Sequence, residues 1–168
     1  MDKRNALMTE LPHLMRYSRA LTRDADAADD LLQDCVSRAL SKLHLFKQGT
    51  NMRAWAFTVM HNIHAQNMRR LGRRMDKTSL EPEMEERHGT DASQMDTMAL
   101  RDLDRALGRL TDDQRAVLLL VGLEDMSYAE TAEILEIPVG TVMSRLARGR
   151  ERLKKIMDGQ EPMLRSVQ

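Results

Sequence analysis

Residues 127–155, SYAETAEILEIPVGTVMSRLARGRERLKK, decide the fold. Ser127 stands three residues before Glu130, the spacing at which a hydroxyl accepts from an amide of the first helical turn while the longer side chain reaches back to the cap amide. A short helix with the small residues Ala129 and Ala132 then runs to about Glu136. Pro138 sits where a second helix can begin, because its missing amide proton costs nothing in a first turn. From about Val139, the residues Val142, Leu146, Leu153 and Ile156 fall on one apolar face, and Thr141, Ser144, Arg145, Arg148 and Arg152 share the other. The last half of the stretch sets Arg145, Arg148, Arg150, Arg152, Lys154 and Lys155 against Glu151 alone. A basic amphipathic helix in isolation is more often a solvated face than a binding surface. Preceded by a capped short helix and a three-residue turn, it reads as a helix-turn-helix whose second helix fits the major groove of DNA. Arginine there can make paired hydrogen bonds to guanine, and the other basic residues neutralise phosphates.

Outward from this stretch the pattern stays helical. Thr111-Asp112-Asp113-Gln114 repeats the capping device, after a helix around MALRDLDRALGRL. From Leu7 to about Arg74 apolar residues recur at helical spacing, broken by TRDAD near residue 24 and FKQGTN near residue 48, which predicts three or more helices. Asp24 or Asp26 can cap one of them and Asn51 the next. Between Met75 and about Thr97 the sequence MDKTSLEPEMEERHGTDASQMDT is acidic, contains Pro82 and Gly89, and has little apolar periodicity. With no strand alternation anywhere, the chain reads as all-α: two small helical domains, 1–75 and 98–160, joined by a flexible acidic linker, 76–97, the second domain containing the helix-turn-helix.

The 168 residues carry no net formal charge, yet the charges are segregated. Residues 1–75 sum to +6, 76–104 to −6, 105–138 to −4 and 139–168 to +4. Two basic surfaces separated by acidic ones let a neutral protein bind a polyanion. The lone Cys35 excludes an internal disulfide framework and, without other thiols, most zinc sites. His61 and His64 have a helical spacing that suits metal ligation, but no thiols or clustered acids complete a site, so neither metal nor cofactor is expected. No apolar run is long enough to span a bilayer, and Asp2, Lys3, Arg4 and Glu10 do not fit a signal peptide, so the expectation is a cytoplasmic protein without membrane insertion. No acid–base or metal constellation points to an enzyme.

Four segments, DADAADDLLQDCVSRAL, GTNMRAWAFTVMHNIHAQNMRR, LTDDQRAVLLLVGLEDMSYAETAEIL and PVGTVMSRLARGRERL, resemble in order the signature regions of the extracytoplasmic-function (ECF) sigma factors of bacterial RNA polymerase. The resemblance runs from about Leu11 to Leu153 and omits only the linker. QGTNMRAWAF is similar to the form found in the general-stress-response class of alphaproteobacteria. Such a protein binds the polymerase core, recognises promoter DNA, and is held by an anti-sigma factor. The resemblance places contact with the polymerase clamp on Asp29, Asp30, Gln33 and Asp34. It places capture of an unstacked minus-10 base on Phe46, Lys47, Gln48, Gly49, Thr50 and Asn51 with Asn62. A flipped base needs polar groups for its edge and an apolar or aromatic wall. Trp55 and Phe57 have the spacing of core residues rather than of a stacking platform. Arg69, Arg70, Arg73 and Arg74 make a compact basic helix end suited to phosphates. Duplex minus-35 recognition falls on Thr141, Ser144, Arg145, Arg148 and Arg152. Met143 departs from the pattern, since many relatives carry Arg or Lys there. The competing reading is a sigma-like decoy that sequesters an anti-sigma factor without binding DNA; such regulators usually carry a phosphoreceiver domain, for which the residues after Lys155 leave no room, and the basic helix is retained.

Overall fold

A computed structural model of the chain describes residues 2–77 and 94–159, with only the backbone described for 94–97. Every regular element among them is helical. In chain order these are α1 (Lys3–Thr9), α2 (Leu11–Thr22), α3 (Ala25–Ser41), a 3-10 turn (Leu43–Leu45), α4 (Met52–Lys77), α5 (Gln94–Gly108), α6 (Asp112–Gly122), α7 (Tyr128–Leu135) and α8 (Val139–Met157).

The helix ends follow local chemistry. Asp24 caps α3, accepting from the Ala27 amide at 2.8 Å, and Asn51 caps α4, accepting from the Ala54 amide at 3.3 Å. Both capping boxes close: the Gln114 amide donates to the Thr111 hydroxyl at 3.2 Å and the Glu130 amide to the Ser127 hydroxyl at 3.1 Å, with each long side chain accepting from the cap amide in return. α7 stops at Glu136, whose φ of 53° takes the left-handed conformation while the Ile137 amide donates to the Ala132 carbonyl at 3.0 Å. Pro138 serves as the N-cap of α8 rather than its first residue, and its carbonyl accepts from the amides of Thr141 and Val142.

Helices reach into both ends of the segment 76–97 expected to be a linker. Residues 76–77 finish α4, where Arg74 and Lys77 in the last turn favour continuation by interacting with the negative helix terminus. Residues 94–97 begin α5, since no Gly or Pro between 94 and 99 stops a helix whose apolar period continues through Leu100, Leu103 and Leu107. The acidic segment 78–93, read as flexible, lies outside the described residues.

Burial shows how the helices meet. α2 buries Leu14, Tyr17, Ser18 and Leu21, and α3 buries Ala28, Leu31, Cys35 and Ala39. The small Cys35 and Ala39 let α4 come close, with Cys35 Sγ 3.7 Å from the Ala56 carbonyl oxygen. Burial pushes the Cys35 thiol up to about 12, the behaviour of a packed apolar residue and not of a reactive one. Tyr17 and Phe57, both fully buried, meet edge to face with ring centroids 5.0 Å apart. On α4 burial ends at His64, and the helix continues with its apolar stripe, Met68, Leu71 and Met75, open to solvent. In the second half α6, α7 and α8 pack together, and the buried Gly149 of α8 lies against Gln114 and Leu118 of α6.

The halves are not separate bodies in this arrangement. α2 packs on α6 and α4 on α7, and one continuous apolar cluster includes Leu14, Tyr17 and Phe57 of the first half and Leu107, Val117 and Leu120 of the second.

Candidate nucleic-acid and polymerase interface

Asp29, Asp30, Gln33 and Asp34 are all exposed on α3, on the side away from Leu31 and Cys35. Their spacing of three and four residues puts the carboxylates on one solvent face. Nothing in the first half covers it, so it is available to a basic partner surface.

The 46–51 loop is pinned at several points. Lys47, Gln48, Gly49, Thr50 and Asn51 are exposed. Gly49 has φ +88°, which a side chain would strain, and the Thr50 hydroxyl donates to the Lys47 carbonyl at 2.7 Å. Phe46 differs from its neighbours: it is 7% exposed, its ring stands edge to face with the half-buried Trp55 at 5.5 Å, and its carbonyl accepts from Lys3 Nζ at 2.7 Å. Asn62, Arg69 and Arg70 are exposed further along α4, as are Arg73 and Arg74. The Asn51 amide nitrogen donates to Glu130 Oε1 at 2.7 Å, which ties the loop to the start of α7. The Ser127 amide, then Asn51, hold the Glu130 carboxyl below its usual range.

On α8, Ser144 and Arg148 are exposed, Thr141 and Arg152 half-buried. Arg145 is turned toward α6, where Nη2 lies 3.2 Å from Asp113 Oδ2. A shallow cleft beside it is lined by His61, Asp113, Ala116, Leu135 and Ile137. Met143 is 53% exposed.

The residues that sequence reasoning missed lie on the seam between the halves. Glu124, in the loop after α6, has a fully buried side chain and accepts from Arg16 Nε at 2.9 Å and Nη2 at 3.0 Å, with His13 Nδ1 at 2.8 Å. Arg115 donates to carbonyls on both sides, Leu21 at 3.1 Å and Leu107 at 2.8 Å. Arg23 pairs with Asp104 at 3.2 Å. The imidazole of His64, weighed above as a metal ligand, lies with Nε2 3.1 Å from Asp112, and that hydrogen bond holds the Asp112 carboxyl below its usual range. Burial and the neighbouring His64 push His61 down. Among the described residues no three His, Cys, Asp or Glu side chains come together as a metal site would require, and no helix is long and apolar enough to cross a membrane.

Comparison with known proteins fits both halves. The family described as Sigma-70, region 4 matches residues 100–153, and the family described as Sigma2 domain of PhyR matches residues 7–61. The chain is 32% identical to ECF RNA polymerase sigma factor EcfG of Rhodopseudomonas palustris over 160 residues, covering 94% of this chain and 87% of that protein. It is 31% identical to ECF RNA polymerase sigma factor SigC of Mycobacterium tuberculosis, covering 80% and 72%. Among solved structures, the sigma factor RpoE in complex with the anti-sigma factor NepR from Bartonella quintana superposes with a TM-score of 0.81 at 32% identity, over 94% of this chain and 97% of that one. With the all-helical fold, the helix-turn-helix and these relatives, the chain belongs to the ECF sigma factors of bacterial RNA polymerase.

Proposed function

We propose that this sigma factor, a non-enzymatic cytoplasmic protein, joins core RNA polymerase through the acidic face of α3, engages the minus-10 element with the 46–51 loop, Asn62 and the basic end of α4, and reads duplex minus-35 DNA with α8. The observation that carries the reading is a pair of solvent faces of different charge on one chain: the carboxylates of Asp29, Asp30 and Asp34 on α3, and the exposed Ser144 and Arg148 on α8. Acidic side chains suit a basic clamp surface, and a helix-turn-helix with an exposed basic second helix suits the major groove. An anti-sigma partner follows from likeness to the RpoE solved with the anti-sigma factor NepR, and a role in a stress response from the similarity of QGTNMRAWAF to the general-stress-response class.

Core polymerase transcribing genomic DNA with and without the protein, followed by sequencing of transcript ends, tests the reading; a new set of start sites sharing upstream elements is expected. Asp30→Lys with Asp34→Lys replaces attraction by repulsion at the clamp face and lowers core affinity about tenfold or more. An unchanged affinity at moderate salt removes α3 from the interface. The match of residues 7–61 to the Sigma2 domain of PhyR favours the decoy as the second reading. A decoy yields no new start sites while still binding an anti-sigma factor.

A further inference from the structure

The free part of α8 is more apolar than a helix made only to grip phosphates. Val139 is 43% and Met143 53% exposed, and Ala147 is exposed too. Their four-residue spacing puts them on one strip, next to Ser144 and Arg148. The strip on the opposite edge is committed elsewhere, for Thr141 is half-buried and Arg145 reaches sideways to Asp113 at 3.2 Å. A side chain at 143 with a positive charge would seek a phosphate or a guanine. A thioether donates no hydrogen bond, accepts only weakly, and is flexible and polarisable, so it gains by covering an apolar group. On the major-groove edges of the four base pairs the apolar group is the C5 methyl of thymine.

We propose that Met143, with Val139 one turn before it, packs on a thymine methyl group in the minus-35 duplex and so selects an A·T pair at that position. The proposal rests on the reading that α8 enters the major groove, and adds to it a base preference that none of the basic residues supplies. Arg148 positions the helix or reads guanine; Met143 distinguishes thymine from the base that lacks its methyl.

The test uses holoenzyme reconstituted from core polymerase and the full chain. It first selects duplexes from a promoter library randomised across the upstream element. Each thymine of the selected element, on either strand, is then replaced singly by deoxyuridine, which removes the methyl and leaves every hydrogen-bonding group in place. One replacement weakens binding by about fourfold with the unaltered protein, the factor expected for losing one buried methyl. With Met143→Ala that factor falls below about 1.5, with Met143→Leu, which keeps the apolar reach, it persists, and with Arg148→Ala it persists while overall affinity drops. The proposal is overturned if no thymine is sensitive, if the selected element contains none, or if the sensitivity is undiminished in Met143→Ala. It is equally overturned if Met143→Ala lowers affinity for core polymerase and leaves DNA discrimination untouched. Failure of the selection to return any upstream element strikes instead at the groove reading itself, so the two failures are told apart.

Discussion

The 46–51 loop and helix α8, both proposed above to meet promoter DNA, stand in different circumstances. The loop is tied across the seam, with Asn51 donating to Glu130 at 2.7 Å. On α8, Met143, Ser144 and Arg148 face solvent, while Arg145 is drawn aside to Asp113. Separating the halves should therefore alter the proposed minus-10 surface and leave most of the proposed minus-35 surface as it was. The seam that imposes this difference combines an apolar cluster with a few charged pairs, and those pairs make it responsive to single substitutions.

The largest effect is expected from Arg16→Ala, which strands the fully buried Glu124 with His13 as its remaining partner. Breaking a fully buried pair costs about 3–5 kcal/mol; because Arg16 is half open to water, we expect about 2 kcal/mol against the closed arrangement. Small-angle scattering and the distance between labels on α3 and α8 should report expansion, and Arg16→Ala with Glu124→Gln should be milder than the single change. Unaltered compactness would mean that the seam does not depend on this cluster.

Next comes His64→Gln, which weakens the bond to Asp112 and is expected to cost about 1 kcal/mol at neutral pH. The sign of its pH dependence follows from the Asp112 carboxyl, whose value in the folded protein is depressed by His64. Its contribution is complete above the unfolded carboxylate value of about 3.9 and is lost as pH falls through the lower folded value. The stability gap between the unaltered protein and His64→Gln should thus close in strong acid; denaturant melts at a series of pH values that show a constant gap would refute the assignment.

A smaller effect is expected from Asn51→Asp. Aspartate caps a helix as well as asparagine, so α4 keeps its start, but the new carboxylate faces Glu130. Repulsion at this exposed site should weaken closure by about 0.5 kcal/mol and increase label distance slightly, an effect that salt should screen. Gly149→Ala bears on the other side of the comparison. An added Cβ would lie 3.5 Å from Gln114 Cβ and 3.7 Å from Leu118 Cδ1, ordinary contact, so the gain in helix propensity should appear as about 0.5 kcal/mol of added stability. Compactness should not change, because Gly149 lies inside the second half.

Features set by neighbours in sequence were legible before the structure. The two capping boxes, the cap at Asn51, the cap offered by Asp24 or Asp26, and the turn between α7 and α8 each depend on residues within a few positions, and local spacing announces them. The boundaries near residues 76 and 97 were less legible, since polar helical ends without Gly or Pro look like a linker. The seam was not legible at all. Arg16 and Glu124 are 108 residues apart, and an arginine beside Tyr17 on a mostly apolar helix looks like an ordinary solvated side chain until the partner is in place. For the same reason neither the pairing of His64 with Asp112 nor the sideways turn of Arg145 toward Asp113 could be read from the spacing on α4 and α8.

The buried Glu124 has a consequence for recombination between relatives. A chimera that takes its second half from this chain and its first half from a relative with apolar residues at the positions of His13 and Arg16 would enclose a carboxylate with no counter-charge. The reverse graft would leave a guanidinium and an imidazole facing an apolar wall. Halves exchanged with their partner charges should remain compact, whereas mismatched halves should stay apart, so α2 and the loop after α6 are best inherited together as a matched lock and key.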